Sequence, residues 1–82
     1  MNEVQVVRLR RFDGESKLKA FCDVLIGGFV VRGLRVMDGK NGLFIAMPSE
    51  QGKDGKWYDI VFPVSPQAKK DLTEAVLNAY NG

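Results

Sequence analysis

The side chains best suited to chemistry in this sequence are basic, and two of them are adjacent near the C-terminal end. Lys69 and Lys70 fall in the first turns of a predicted helix. Unpaired N–H groups and the positive end of the helix dipole favour an anion at such a place. Together with two lysines, they could bind an anion or a phosphate group. The alternative is plain solvation, with Lys70 paired to Glu74 one turn later.

A second set of basic residues lies in the first two predicted strands. Arg8 and Arg10 alternate along one strand, and Lys17 and Lys19 alternate at the start of the next. If these strands form a hairpin, the four side chains can make a basic stripe that contacts phosphates without reading base sequence. A solvated surface is the default explanation of the same pattern.

The overall charge of the chain is mildly positive. Twelve lysines and arginines against ten acidic residues give +2, and residues 1–19 hold five bases against three acids. Arg32 and Arg35 project to opposite sides of their predicted strand, so they cannot both extend a basic stripe. Because the total is well below that of a dedicated DNA-coating protein, any binding must depend on a local patch.

Catalytic chemistry has few candidate residues. The chain has no histidine and a single cysteine, Cys22, which excludes histidine-dependent catalytic pairs and an internal disulfide. Cys22 falls on the apolar face of a predicted strand, where a small buried hydrophobic residue is expected. Asp38, Asp54 and Asp59 could be imagined as a carboxylate group, but the first two precede glycine, which is typical of turns.

A glycine-rich segment resembles a phosphate-binding loop only superficially. Five residues separate Gly33 from Gly39 where the motif has four, and Asn41 stands where serine or threonine should follow the lysine. The segment also lies on a predicted strand and turn, with no helix after it. We therefore predict no enzymatic activity, no cofactor, no metal site and no small-molecule substrate.

Turn residues divide most of the chain into short segments with strand-like alternation. The pair Gly27-Gly28 is typical of a tight hairpin. The last segment has apolar residues at helical spacing, with Ser65 as N-cap and Pro66 at the first helical position. The predicted fold is one α+β domain over residues 1–82, a meandering antiparallel sheet of about five strands followed by a C-terminal α-helix. The predicted strands cover residues 3–11, 17–26, 29–37, 43–47 and 57–62, with a long hairpin loop over residues 48–56.

The fourth predicted strand indicates a second subunit. Residues 43–47 are apolar on both faces, whereas a single helix covers only one face of a sheet. Either the sheet curls over itself or another copy covers the remainder. A compact monomer of this size leaves roughly 4,900 Å² exposed and has a thin core, so pairing would help it. We predict a homodimer with Leu43, Phe44 and Ile45 at its interface.

The sequence pattern indicates no pair of exposed aromatic residues that together could form a stacking surface. Trp57 and Tyr58 lie on opposite faces of the fifth predicted strand, so one of the two rings points outward. That ring could stack on a base or, preferably, pack against a partner subunit.

Nothing in the sequence indicates a membrane or secretion. No segment approaches 18 consecutive apolar residues, and the start, Met1-Asn2-Glu3, lacks a basic segment followed by an apolar one. We expect a soluble, untargeted, cytoplasmic protein with no membrane partner.

Several stretches together resemble the SpoVG family of bacteria, the stage V sporulation protein G or septation proteins. The longest reads Arg-Val-Met-Asp-Gly-Lys-Asn-Gly-Leu-Phe-Ile-Ala-Met-Pro-Ser over residues 35–49. It is joined by Val7-Arg8-Leu9-Arg10-Arg11, by residues 54–63, and by residues 75–80 at the end of the helix. The resemblance covers essentially the whole chain.

The resemblance implies a small α+β protein, usually dimeric through its sheet, that acts in cell division and sporulation control. Several members bind DNA, and some bind RNA. Their contacts are usually placed at the start of the C-terminal helix, which corresponds to Lys69 and Lys70, and just after the Met-Pro-Ser turn. At that second place this chain has Glu50 and Gln51, and Asp71 stands where a basic residue is common.

The predicted function is therefore that of a homodimeric regulator that binds nucleic acid. The predicted binding residues are Lys69, Lys70, Arg8 and Arg10, and the predicted partners are a second copy, DNA and, in some cases, RNA. The alternative is a protein-interaction adaptor in division or stress regulation that does not bind nucleic acid.

Overall fold

A computed structural model of the chain describes residues 3–12 and 14–82. Met1, Asn2 and Asp13 lie outside the described residues, and so does the prediction about how the chain begins. The described elements are β1 (Val4–Arg11), β2 (Leu18–Ile26), β3 (Phe29–Gly39), β4 (Gly42–Ala46), β5 (Ser49–Gln51), β6 (Trp57–Asp59) and α1 (Pro66–Asn81).

The main sheet has the order β1-β2-β3-β4 with antiparallel neighbours, and α1 covers one face of it. Gly27 and Gly28, at φ of 55° and 87°, make the tight turn between β2 and β3. Alternate residues of the two central strands face the helix and form the core. The buried core residues are Ala20, Cys22, Val24, Leu34, Val36, Leu72 and Val76. The predicted α+β class, with an antiparallel sheet and a C-terminal helix, is confirmed.

Three shifts in strand register set which side chains face the helix, one of them between Leu18 and Ala20 of β2. The register between β1 and β2 shifts between Val6 and Arg8, so Val6 and Leu9 both pack against the core. The third shift lies where Gly33, at φ of 85°, donates its N–H to Asp23 Oδ1 at 3.2 Å. Because of the shift between Val6 and Arg8, Arg8 and Arg10 share the opposite face with Asp23 and Phe21, their partners on β2.

The helix begins as the sequence predicts. The Ser65 hydroxyl accepts a hydrogen bond from the Ala68 N–H at 3.1 Å, and Pro66 occupies the first turn. Leu72 and Val76 are buried beneath the helix, and Leu77 and Tyr80 pack beside them. Its apolar stripe therefore supplies the second layer of the core.

The far end of the helix is tied to the end of β1 by one side chain. The Arg11 guanidinium donates to the carbonyl oxygens of Ala79, Tyr80 and Gly82 at 2.6–3.2 Å. It also lies 5.6 Å from the centroid of the Tyr80 ring. A cation here satisfies carbonyl groups that have no partner within the helix and complements the negative end of its dipole.

The predicted long loop over residues 48–56 is wrong in one respect. Ser49–Gln51 forms β5, which pairs with β6 as a separate two-stranded sheet, and the Ile60 N–H extends the ladder by donating to the Pro48 carbonyl oxygen. The fifth predicted strand, residues 57–62, accordingly ends at Asp59 and does not join the main sheet. Ser-Glu-Gln has no apolar alternation, so only the pairing itself identifies it as a strand.

The hairpin of β5 and β6 is closed by its own turn. Asp54 accepts hydrogen bonds from the Tyr58 hydroxyl at 2.5 Å and from the Lys56 N–H at 3.0 Å. These two bonds, the Tyr58 bond foremost, lower the pKa of Asp54 below its ordinary value. The predicted turn role of Asp54 is thereby confirmed.

Candidate nucleic-acid interface

The start of the helix and the end of β4 form a basic cleft of about 340 Å³. Its polar residues are Arg35 from β3, Lys69 and Thr73 from α1, and Asp59 from the end of β6. The Arg35 guanidinium donates to the Met47 carbonyl oxygen at 3.2 Å, which holds it beside the chain leaving β4. Two cations therefore share the cleft with one carboxylate.

Lys70, the second helix lysine, lies in an exposed ion pair along the helix. Lys70 Nζ lies 4.0 Å from Glu74 Oε1, and the two side chains are 66% and 61% exposed. An exposed pair at this spacing stabilises a helix by only a few tenths of a kcal/mol. Asp71 accepts a hydrogen bond from Gln67 Nε2 at 2.8 Å, so its carboxylate is engaged along the helix.

Arg8 and Arg10 line a different cleft, of about 260 Å³, on the sheet face opposite the helix. Phe21, Asp23 and Gly33 complete its lining. The rest of the predicted stripe does not line this cleft. The Lys19 ammonium donates to the Gly14 carbonyl oxygen at 3.1 Å, and Lys17 precedes β2.

The predicted binding residues thus fall into two groups on opposite sides of one sheet. Lys69 belongs to the helix side, and Arg8 and Arg10 belong to the open side. The structure adds Arg35, which pairs with Phe21 in register and extends past the end of β4 to the cleft that Lys69 lines. Alternation along β3 shows that Arg35 is not buried in the core, but only the folded chain shows that it shares a cleft with Lys69. Sequence reasoning therefore missed Arg35.

The residues that follow the Met-Pro-Ser turn belong to the small hairpin. Glu50 is exposed on β5 opposite Tyr58, and Gln51 Nε2 donates to the Gly55 carbonyl oxygen at 3.1 Å. This hairpin therefore presents one acidic and one neutral residue just after the Met-Pro-Ser turn.

The groups considered for catalysis are not gathered at the Arg35–Lys69 cleft. Cys22 is buried, and its burial, followed by the nearby Asp23 charge, raises the pKa of its thiol to about 11. The thiol therefore behaves as the predicted small core residue. Asp59 lines the Arg35–Lys69 cleft, whereas Asp38 does not line it. Within residues 3–12 and 14–82, no group of three Cys, Asp or Glu side chains is placed to hold a metal ion.

The exposed apolar surface is concentrated where the chain runs from β6 to the helix. We call the side chains over residues 57–64 the apolar arm. Its large exposed members are Trp57, Tyr58, Ile60, Phe62 and Val64, each between 52% and 90% exposed. Phe29, 76% exposed, lies with Phe62 and Val64 in an apolar groove of about 340 Å³ between the sheet and the helix start.

The predicted dimer-interface residues of β4 face two ways. Leu43 and Ile45 pack against the core beneath the helix, whereas Phe44 is 49% exposed on the opposite face. β4 is an edge strand of the main sheet, so its outer backbone groups have no partner strand within the described chain. Interface contact at β4 remains a prediction.

No helix among the described residues has the length and apolar character needed to cross a membrane.

These features define a class of small α+β protein with a single C-terminal helix on a four-stranded sheet, basic clefts on both sides of the sheet and a separate hairpin. The profile of the SpoVG family matches residues 1–82, and the chain belongs to this family. The resemblance seen in the sequence is thereby confirmed.

Relatives from several bacteria align over nearly the whole chain. "Putative septation protein SpoVG 1" of Listeria monocytogenes serotype 4b (strain F2365) is 43% identical over 79 residues, which are 95% of this chain and 78% of the relative. "Putative septation protein SpoVG" of Geobacillus thermodenitrificans (strain NG80-2) is 42% identical over 80 residues, 96% of this chain and 83% of the relative. The protein of the same name from Bacillus velezensis (strain DSM 23117 / BGSC 10A6 / LMG 26770 / FZB42) is 41% identical, with 96% and 82% coverage. These names refer to septation and not to an enzymatic reaction.

Proposed function

We propose that this protein is a homodimeric bacterial regulator that binds nucleic acid and acts in septation and sporulation-type gene expression. The septation role is taken from the names of its relatives. The observation that carries the binding proposal is the convergence of Arg35 and Lys69 on one cleft at the start of the helix.

The chemistry of this cleft suits a phosphate group. Arg35 offers a planar set of N–H donors, Lys69 offers a point charge, and the Thr73 hydroxyl can donate a further hydrogen bond. The first turn of the helix carries no acidic residue, so the positive end of the dipole is not already neutralised there. Asp59 offsets one of the two positive charges, which favours weak binding over tight binding.

Surface area supports the homodimer. The single chain exposes 6242 Å², against roughly 4,900 Å² for a compact monomer of this mass, an excess of about 1,300 Å². Obligate homodimers bury about 1,000 to 2,500 Å² per subunit. The excess therefore matches the area that a second copy would cover. The apolar arm and the groove beside Phe29 supply the side chains that such an interface needs.

A dimer also changes the electrostatics of the chain. Two-fold symmetry repeats Arg35, Lys69 and the Arg8–Arg10 pair, which doubles the number of basic clefts on one particle. This compensates for a net charge of only +2 per chain.

The test is a fluorescence anisotropy titration of labelled duplex DNA and single-stranded RNA at two salt concentrations. Lys69→Glu combined with Arg35→Gln should weaken binding at least tenfold at low salt, since it removes both phosphate contacts. Wild-type affinity should fall with salt at a slope of about −0.9 per phosphate neutralised on duplex DNA. Lys69→Glu is also measured alone, and Lys40→Glu, in the turn between β3 and β4, changes the charge by the same amount and serves as its matched control.

Two results would contradict the proposal. Equal losses in the Lys40 and Lys69 variants would mean that only total charge matters and that the cleft is not a site. Absence of wild-type binding to both probes at low salt would leave the adaptor as the better function. The exposed apolar arm favours that second candidate, because an apolar docking surface would respond little to salt.

A further inference from the structure

The sheet face opposite the helix presents two aromatic rings. Register places Phe21 on β2 opposite Arg35 on β3, and Phe44 on β4 opposite Met37, so both rings lie on this face. Phe21 is 39% exposed and Phe44 is 49% exposed. We call this surface the open face. Two strand spacings across the sheet and an offset of two residues along it separate the Cα atoms of Phe21 and Phe44 by about 12 Å. The sequence pattern does not show this pair, because the two rings are separated by β3.

Each of these rings is held in place by a neighbour. The Phe12 and Phe21 rings meet edge to face, with centroids 5.2 Å apart and planes at 86°. The Arg10 guanidinium lies 5.5 Å from the centroid of Phe12 and completes the cluster. Such contacts restrict the Phe21 ring while leaving part of it open to a ligand.

The Phe44 ring is positioned by a glycine. A Cβ built on Gly39 would lie 2.9 Å from Phe44 Cε1, so any other residue there would displace the ring. Gly39 therefore lets the ring lie directly against the backbone of the adjoining strand. Both rings are fixed on rigid strands, as a stacking surface requires.

The charge of the open face favours a polyanion. Arg8 and Arg10 line its cleft, and among the described residues of β1 to β4 the only acid assigned to this face by register is Asp23. One Asp23 oxygen already accepts the Gly33 N–H at 3.2 Å. The face thus combines phosphate-binding arginines with exposed rings.

We propose that the open face binds single-stranded nucleic acid, with bases stacked on Phe21 and Phe44 and phosphates contacting Arg8 and Arg10. Every base has a face that can stack on an aromatic ring, so this binding tolerates sequence variation. A duplex keeps its base faces stacked on one another and cannot offer them, so the open face discriminates against it. This inference rests on the proposed nucleic-acid function and adds a second site, on the other side of the sheet from Lys69.

The test compares Phe21→Leu and Phe44→Leu with wild type for binding of a labelled 20-nucleotide oligo(U) and of a duplex. Leucine preserves the apolar bulk and removes the ring. The duplex, whose bases stay stacked on one another, is the matched control for each variant. Each Phe variant should lose at least about fivefold affinity for the single strand, with duplex binding unchanged.

A second measurement separates a contact from a structural effect. Oligonucleotides that contain 5-iodouracil are crosslinked by light to wild-type protein, which is then digested with trypsin. The crosslinks should fall in residues 20–32 and 41–53, the tryptic peptides that contain Phe21 and Phe44. Circular dichroism melting and sedimentation of each variant show whether it stays folded and keeps its oligomeric state.

The possible results are distinguishable. Unchanged single-strand affinity in both Phe variants, with binding still weakened at least tenfold in the Lys69–Arg35 variant, would overturn this inference and leave the proposed function standing. Dissociation of the oligomer by either Phe substitution would identify the open face as a subunit interface and overturn it as well. If wild type binds no nucleic acid at low salt, the inference and the proposed function fail together.

Discussion

Arg11 is predicted to be the most important single polar residue for the stability of the fold. Its guanidinium ties the last turn of the helix to the end of β1 through three carbonyl oxygens. Arg11 and its acceptors are about 70 positions apart in the chain, so this interaction links the first strand to the last turn of the helix. Arg11→Ala removes all of these bonds and leaves the carbonyl groups to water.

The magnitude follows from the interactions that this substitution removes. Hydrogen bonds from a charged donor each contribute about 1.5 to 3 kcal/mol when well shielded, and the cation beside Tyr80 adds about 0.5 to 1 kcal/mol. Because the site is exposed and water replaces the missing donors, these energies do not add fully. We expect Arg11→Ala to lower the free energy of unfolding by about 1 to 2 kcal/mol. For a domain of this size, that corresponds to roughly 4 to 16 °C in melting temperature.

Urea unfolding followed by circular dichroism at one fixed protein concentration measures this effect. Arg11→Lys should fall between wild type and alanine, since lysine keeps the charge but has no planar set of donors. Arg32→Ala removes an exposed arginine that makes no hydrogen bond within the described part of the chain, and should stay within about 0.5 kcal/mol of wild type. If Arg11→Ala were no less stable than Arg32→Ala, the Arg11 hydrogen bonds would be incidental to folding.

Two further predictions concern the core thiol and the dimer. Burial raises the pKa of the Cys22 thiol to about 11, from about 9 in the unfolded chain. The buried neutral thiol therefore stabilises the fold fully below pH 9, and this stabilisation is lost as the pH rises toward 11. Native protein at pH 8 should accordingly resist iodoacetamide while urea-unfolded protein reacts, and equal rates would show that Cys22 is accessible. Of the two candidate interfaces, the apolar arm has five large side chains more than half exposed, whereas the predicted β4 interface exposes only Phe44. Phe62→Glu should therefore raise the dimer dissociation constant at least about 30-fold in sedimentation equilibrium, whereas Phe44→Glu should not. The reverse order would place the interface at β4 and not at the apolar arm.

Most of the main elements could be predicted because their signals are local. The alternation along β2, the glycine pair at its end and the Ser65-Pro66 start of the helix each depend on neighbouring residues. The β5–β6 hairpin was not predicted, because three polar residues become a strand only through their partner. The same holds for Arg11, whose acceptors lie at the other end of the chain.

The candidate binding residues also separate into features that the sequence predicts and features that only the structure shows. The sequence selects Lys69 by its position in the helix, and Arg8 and Arg10 by their alternation. It cannot show that Lys69 lies on the opposite side of the sheet from Arg8 and Arg10. The bulge between Val6 and Arg8 determines which face of the sheet each β1 side chain lies on, and this bulge is visible only in the register with β2.

The sequence by itself determined the α+β class, the helix with its cap, the core role of Cys22 and membership of the SpoVG family. Only the tertiary structure brought Arg35 to the same cleft as Lys69 and placed Phe21 and Phe44 on one face. The physical reason is the distance along the chain between the residues that interact. Secondary structure and burial follow from short periodic patterns, whereas a site is a meeting of side chains from distant segments that depends on strand register and on how the helix crosses the sheet.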